Sequence, residues 1–266
     1  MDPEPKDLTD PQVLASLRRN MQGRSTPLFL DYDGTLTPIV SDPEQATLSE
    51  GMRRALEGLA RQGTVALVSG RDLQALQRFV ALDSVYYAGS HGFEIVGPGG
   101  IHKVNEEADS GRAALLTAAD ELDAALAGVE GATLERKRFA LAVHYRNTPE
   151  AEVPRVTRAV EDAVARHPGL RYGAGKMVYE LQPDVAWDKG RAVLWLLEAL
   201  GLEGEDALPL YIGDDWTDEH AFEALRGRGA GIFVGEPGRA TAAEYRLADV
   251  EQVQRFFEAL LEGTQP

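Results

Sequence analysis

Asp31-Tyr32-Asp33-Gly34-Thr35-Leu36-Thr37 places two carboxylates directly after an apolar run, Pro27-Leu28-Phe29-Leu30. The run reads as a buried strand, and Gly34 lets the backbone turn sharply behind it. In open α/β sheets, ligands bind just beyond the carboxyl ends of strands. Asp31 and Asp33 at such an end point to metal-assisted phosphoryl chemistry through an aspartyl nucleophile.

Gly213-Asp214-Asp215-Trp216-Thr217-Asp218-Glu219 repeats the arrangement after Leu208-Pro209-Leu210-Tyr211-Ile212. If the two strands are neighbours, Asp31, Asp33, Asp214, Asp215 and Asp218 crowd one cleft. Two like charges ~4 Å apart repel by about 4 kcal/mol at an effective dielectric near 20. A hard divalent cation relieves this, and Mg²⁺ suits a site that also holds phosphate. The competing reading, that each acid caps a helix at a separate place, explains one such motif better than two.

Two shorter motifs carry the opposite charge. Ser69-Gly70-Arg71 follows the apolar run Thr64–Val68, where a hydroxyl and backbone amides at a helix start can hold a phosphate oxygen. Trp187-Asp188-Lys189-Gly190 opens an apolar-striped helix. A lysine there opposes the helix dipole, but as a point charge it can neutralise phosphate and the aspartates.

The elements that must position these residues alternate. Residues 26–96 read β-α-β-α-β, and the pattern resumes after Gln182-Pro183-Asp184, which argues for a parallel sheet with right-handed crossovers. Between the two stretches, Gly97-Pro98-Gly99-Gly100 reads as a turn, followed by one long helix over about Glu106–Leu126. Two strand pairs around a further helix complete an α-β-β-α-β-β block. The expected fold class is therefore α/β: a Rossmann-like parallel-sheet core, residues 1–96 and 183–266, with an inserted α+β domain, residues 97–182, whose antiparallel sheet is covered by two helices. Residues 1–23 read as a polar leader with a short helix around Leu14–Met21.

The 266 residues are 44% apolar and 26% charged, ordinary for a soluble globular chain. A formal net charge of −16 disfavours nucleic acid as a partner. No apolar run is long enough to span a bilayer, and the acidic start Met1–Lys6 does not read as a secretory signal. The absence of cysteine excludes disulfides, thiolate metal sites and a cysteine nucleophile. A cytoplasmic location is the default expectation. No two of the five histidines have zinc-ligand spacing, and there is no Walker loop.

Taken in order, these four motifs resemble those of the haloacid dehalogenase superfamily of aspartate-nucleophile phosphatases. Gly89-Ser90-His91-Gly92, Lys176–Pro183, Glu135-x-Lys137 and His144-Tyr145-Arg146 are similar to segments of the trehalose-6-phosphate phosphatase family. The resemblance implies that Asp31 attacks phosphorus, already ionised at an ordinary pKa of ~3.9, and that Asp33 serves as acid and then base. It implies Mg²⁺ held by Asp31, the Asp33 carbonyl and Asp214, with Asp215 and Asp218 supporting. Ser69 and Lys189 would hold the phosphoryl group. Gly70, Arg71, His91 and Gly92, with Glu135, Lys137, His144, Arg146, Lys176 and Glu180 of the inserted cap, would contact the substrate. Trehalose 6-phosphate is the expected substrate and a trehalose-phosphate synthase a candidate partner. Alternatives are a phosphatase for sucrose phosphate or mannosyl-3-phosphoglycerate, a mutase, or a silent sugar-phosphate-binding regulator.

Overall fold

The computed structural model describes residues 4–40, 42–175 and 177–263. The chain divides into two compact units, Met1–Lys103 with Trp187–Pro266, and Val104–Ala186. No helix among the described residues is long and apolar enough to cross a membrane.

The chain runs through β1 (Lys6–Asp7), α1 (Pro11–Met21), β2 (Leu28–Leu30), α2 (Glu50–Gln62), β3 (Val65–Val68), α3 (Leu73–Val80), β4 (Tyr86–Gly89), β5 (Glu94–Gly97) and β6 (Ile101–Val104). The intervening unit holds α4 (Glu106–Ser110), α5 (Arg112–Leu126), β7 (Thr133–Arg136), β8 (Leu141–His144), α6 (Val153–Arg166), β9 (Leu170–Gly175) and β10 (Val178–Pro183). The first unit then resumes with α7 (Lys189–Ala199), β11 (Leu210–Gly213), α8 (Glu219–Leu225), β12 (Ala230–Val234), β13 (Tyr245–Leu247) and α9 (Val250–Glu262).

The sheet of the first unit has the order β1-β13-β12-β11-β2-β3-β4-β5-β6. Pairing is parallel from β1 as far as β4, and β5 returns antiparallel on β4. Central strands of such a sheet are buried on both faces, and their alternation shows it. Leu28, Leu30, Val65, Leu67, Leu210 and Ile212 enter one core, which includes residues of α1, α2, α3 and α9. Phe29, Ala66, Val68 and Tyr211 enter the other, against α7 and α8. The register sets Leu30 beside both Ile212 and Leu67. The three motif-bearing strands are therefore adjacent, with β2 in the middle, and their carboxyl ends open side by side.

In the second unit the order is β7-β8-β10-β9, antiparallel throughout. Leu115, Leu122 and Leu126 of α5 and Val156 and Val160 of α6 pack with Leu141, Val143 and Leu181 of the sheet. The expected α/β class, with a separate antiparallel sheet under two helices, is what the chain forms.

Three local expectations are corrected. The stretch read as a polar leader does contain its expected short helix, α1, but β1 joins the sheet edge beside β13, and Leu8 and Leu17 are core residues. Gly97–Gly100 is the expected turn, but the strands β5 and β6 on either side of it were not expected and extend the sheet order by two. The single helix expected over 106–126 is broken at Gly111. Glycine is a weak helix former, and a Cβ there would press to 3.0 Å from the Pro183 side chain.

Candidate active site

Asp31 is the first residue beyond β2, and its N–H donates to the Ile212 carbonyl at 2.9 Å. Lys189 is the first residue of α7, whose N-cap is Asp188, accepting from Arg191 N at 2.8 Å. Asp188 thus anchors the helix end that delivers the lysine. Lys189 Nζ donates to Asp31 Oδ1 at 2.8 Å and to Asp218 Oδ1 at 2.7 Å. The lysine is 2% exposed and the two acids 5% and 0%. Burial pushes the ammonium toward deprotonation, but Asp218 and Asp31 overcome this and hold it well above the usual lysine range.

Asp218 is a hub. Its Oδ1 also accepts from Tyr211 Oη at 2.6 Å, while Oδ2 accepts from the N–H groups of Asp214 (2.9 Å) and Asp215 (3.0 Å). Four donors fill the roughly four acceptor sites of one carboxylate. The Gly213–Asp218 turn is thereby wrapped around its own last residue, and Gly213 permits the approach: a Cβ there would lie 2.2 Å from the Asp218 carboxyl carbon. Asp215 caps the turn locally, accepting from Thr217 N and Oγ1 at 2.7 and 2.6 Å.

One carboxylate oxygen from each of Asp31, Asp214 and Asp218 lies within 4.8 Å of the others. Thr35 Oγ1 donates to Asp214 Oδ1 at 3.4 Å. Gly34 (φ +82°) has no room for a side chain, since a Cβ would stand 2.1 Å from Asp214 Oδ2. The ionisation of Asp31 departs from the ordinary carboxylate value in the metal-free protein. Burial raises it; Lys189 opposes, but Asp218 and Asp214 reinforce the rise, and the carboxyl sits well above the usual range. Burial, with Asp218 and Asp215 behind it, pushes Asp214 up to about 7. One buried lysine does not offset three carboxylates, so the cluster has the charge and the all-oxygen donor set that suit a hard divalent cation. Asp31 and Asp214 retain oxygens for it, whereas those of Asp218 are spent on the four donors named above.

On the other side of β2, Ser69 is buried and its Oγ accepts from Arg71 N at 3.2 Å. His91 N donates to Ser69 O (2.8 Å) and Ser90 N to Arg71 O (2.7 Å). These bonds tie the Ser69–Arg71 loop to a turn in which Ser90, His91 and Gly92 all have positive φ (+49°, +57° and +91°). A left-handed non-glycine residue costs about 1–3 kcal/mol, and such strain clusters at functional sites. The His91 ring lies against Gly70, where a Cβ would come within 2.9 Å of it. Arg71 reaches across to Asp33 with Nε–Oδ2 and Nη2–Oδ1 distances of 2.6 Å each.

In the second unit, the β7-β8-β10 register puts Glu135, Ala142 and Glu180 in one row and Thr133, His144 and Val178 in another. Both rows lie on the sheet face away from the helices. His144 Nε2 is 2.9 Å from Glu135 Oε2, and Lys137 Nζ is 3.5 Å from Glu180 Oε2. Arg146 is exposed beyond the end of β8. Lys176 lies outside the described residues.

The family model for trehalose-phosphatase matches residues 29–251. The chain belongs to that family. Its fold is also that of a haloacid dehalogenase-like hydrolase from Bacteroides thetaiotaomicron, which superposes with a TM-score of 0.66 at 17% identity over 89% of this chain. Its relatives include an uncharacterized glycosyl hydrolase of Mycobacterium tuberculosis, 47% identical over 94% of this chain but 19% of that protein. The chain thus spans about a fifth of that relative's length. A probable trehalose-phosphate phosphatase of Arabidopsis thaliana is 40% identical over 92% of this chain and 69% of its own length. Among solved structures, the C-terminal domain of a trehalose-6-phosphate phosphatase of C. albicans superposes with a TM-score of 0.78, at 25% identity over 98% of both chains.

Two contributors to this trehalose-phosphatase-family site were not singled out from sequence. Tyr211 sits in an apolar strand run. Its buried hydroxyl, which burial pushes well above the usual tyrosine range, stays protonated and donates to Asp218; a lone tyrosine in such a run was the available signal. Arg239 gave none. It donates from Nη1 to the Asp214 carbonyl at 2.7 Å and stacks over Trp216 (4.1 Å to the ring centroid) and Phe233 (4.9 Å).

Proposed function

We propose that this chain is a Mg²⁺-dependent phosphatase that hydrolyses trehalose 6-phosphate to trehalose and phosphate. One observation carries the reading beyond family membership: a buried lysine bridges Asp31 and Asp218 beside Asp214, at the end of the strand that bears Asp31. In this reading Asp31 attacks phosphorus and the sugar oxygen leaves, giving an aspartyl phosphate. Asp33 gives that oxygen a proton, then takes one from the water that attacks the aspartyl phosphate, regenerating Asp31. Lys189 and Ser69 hold the phosphoryl oxygens, whose charge must be stabilised throughout.

The Asp31 and Asp214 carboxylates and the Asp33 carbonyl would hold Mg²⁺, with Asp218 and Asp215 shaping the turn that presents Asp214. When bound, the ion supplies charge neutralisation for nucleophile and phosphoryl group. Asp31 and Asp214 beside such a charge would be held as anions against the burial that raises them, the form of Asp31 that the attack requires. Gly70, His91 and Gly92 shape the wall beside Ser69. Glu135, Lys137, His144, Arg146, Lys176 and Glu180 of the second unit, whose hydrogen-bonding heads suit a neutral sugar rich in hydroxyls, are assigned to sugar recognition. A synthase making trehalose 6-phosphate would be the natural partner.

The test is phosphate release by the purified chain from trehalose 6-phosphate, sucrose 6-phosphate and mannosyl-3-phosphoglycerate, with Mg²⁺ and with a chelator. The reading expects trehalose 6-phosphate to lead in kcat/KM by at least about tenfold, a 1.4 kcal/mol preference, and chelation to abolish turnover. Preference for another sugar phosphate would overturn the substrate assignment, and undiminished turnover in chelator would overturn the metal.

A further inference from the structure

The sequence places Arg71 among the substrate contacts, yet its guanidinium is occupied elsewhere. Nε and Nη2 each meet one Asp33 oxygen at 2.6 Å, and Nη2 also donates to the Pro43 carbonyl at 2.9 Å. Three of its five N–H groups are engaged in these bonds. The guanidinium lies over the Phe79 ring (4.7 Å to the centroid) and the Tyr32 ring (5.3 Å). Tyr32 is itself buried and fixed through its hydroxyl to the Ala46 carbonyl at 2.6 Å. The Arg71 carbonyl is held in turn by Ser90 N at 2.7 Å. The side chain is 12% exposed. The loop after β3, the segment around Pro43 and α3 thus converge to fix one arginine, and that arginine grips both oxygens of one carboxylate.

A two-pronged guanidinium pair fixes the plane of a carboxyl group, which the point charge of a lysine does not. The fork donates from both prongs and accepts from neither. Asp33 within it is therefore presented as an acceptor, the form needed to take a proton from water. The fork takes one acceptor site on each oxygen, which leaves the others turned away from Arg71 for the proton that Asp33 delivers. Each half of a two-step hydrolysis would then pass through the Arg71–Asp33 pair.

We propose that Arg71 is a positioning residue for Asp33 and not a ligand of the phosphoryl group, an inference that rests on Asp33 being the acid and base of the proposed phosphatase. The distinguishing property is leaving-group dependence. A sugar alkoxide is a poor leaving group and needs the proton from Asp33. The p-nitrophenolate ion is stable at neutral pH and does not.

The experiment compares wild type, Arg71→Met, Arg71→Lys, Asp33→Asn and the Arg71→Met/Asp33→Asn double variant. It measures kcat/KM on trehalose 6-phosphate and on p-nitrophenyl phosphate, together with the inhibition constant of inorganic phosphate. Methionine keeps an apolar stem for Phe79 and Tyr32 and removes the fork. The expected result is a loss of about 100-fold on the sugar phosphate, the lower end of what general acid–base catalysis contributes. The loss on p-nitrophenyl phosphate should stay within about threefold, with phosphate inhibition changed by no more than that, and the double variant should be no worse than Asp33→Asn, as for residues that act as a unit. Arg71→Lys should show the same split between substrates, and it answers the question if Arg71→Met does not fold. Equal losses on both substrates, or phosphate inhibition weakened about tenfold or more, would overturn the assignment and make Arg71 a phosphoryl ligand. Absence of wild-type turnover on every phosphate monoester would instead be a failure of the phosphatase reading, visible before any variant is compared.

Discussion

Two polar networks share this chain and differ in kind. In the first unit, Lys189, Asp31 and Asp218 are buried and every oxygen of Asp218 is occupied. In the second, Glu135 and His144 meet at 2.9 Å on an open sheet face, with side chains 52% and 42% exposed. Water can replace either partner of the exposed pair. The buried trio, with Lys189, Asp31 and Asp218 side chains 2%, 8% and 0% exposed, has little water to draw on, so there each group depends on the others for its charge to be tolerated. The contrast separates a site whose geometry is fixed by the fold from a surface whose side chains are free to adapt to a ligand.

Breaking the buried network should give the largest effect. Lys189→Met leaves Asp31 and Asp218 without their common cation, and removing one partner of a buried pair costs about 3–5 kcal/mol. Urea denaturation should show that loss, and phosphate release should vanish. A stability change under about 1 kcal/mol would mean that the trio is solvated in solution and that the contrast fails.

A smaller loss is expected from Gly34→Ala. The new methyl meets the Asp214 carboxylate and φ is +82°, so a strain of about 1–3 kcal/mol is expected, together with weaker Mg²⁺ binding by calorimetry. Unchanged Mg²⁺ affinity would show that Asp214 does not need its present position.

Titration sharpens the comparison further. Asp214 is raised from 3.8 to about 7, chiefly by burial. In the metal-free protein the folded state keeps this proton at pH values where the unfolded chain has released it. The stabilisation is complete below the unfolded pKa and is lost as pH rises through about 7. The Tm of the metal-free chain should therefore fall between about pH 4 and 7 and level off above, and Asp214→Asn should flatten that slope. Added Mg²⁺, taking the place of the proton, should raise Tm more at the higher pH. A Tm that rises with pH to the same extent in wild type and Asp214→Asn would contradict the assignment.

The smallest structural effect belongs to the open face. Glu135→Gln should change stability by less than about 1 kcal/mol, as for exposed pairs generally, while raising KM for the sugar phosphate and leaving hydrolysis of p-nitrophenyl phosphate unchanged. A marked loss of stability would place this pair with the buried one.

Much of the candidate site in the first unit was legible because its determinants are short and contiguous. Asp31–Thr37, Ser69–Arg71 and Gly213–Glu219 each follow an apolar strand run, and a parallel sheet puts such ends at one edge. The register of Leu30 with Ile212 and Leu67 then follows from burying both faces. What sequence did not reveal depends on partners far apart in the chain. Arg71 grips Asp33 from 38 residues away, Arg239 braces Asp214 from 25, and the ionisation of Asp31 is altered by a burial that no motif encodes. The β5–β6 extension escaped because a Gly-Pro-Gly-Gly turn marks a change of direction without saying whether the chain leaves the sheet. Gly111 interrupts an apolar stripe whose period continues on both sides of it, and the stripe alone reads as unbroken.

The central claim is that Asp31 carries the phosphoryl group. Mixing the protein with trehalose 6-phosphate and Mg²⁺, quenching with acid within milliseconds, reducing with borohydride and sequencing the peptides by mass spectrometry tests it directly. An aspartyl phosphate at position 31 would be reduced to homoserine there, and none should form in the absence of substrate. Steady release of phosphate with position 31 always recovered as unmodified aspartate, or with the reduced residue at another carboxylate, would contradict the account.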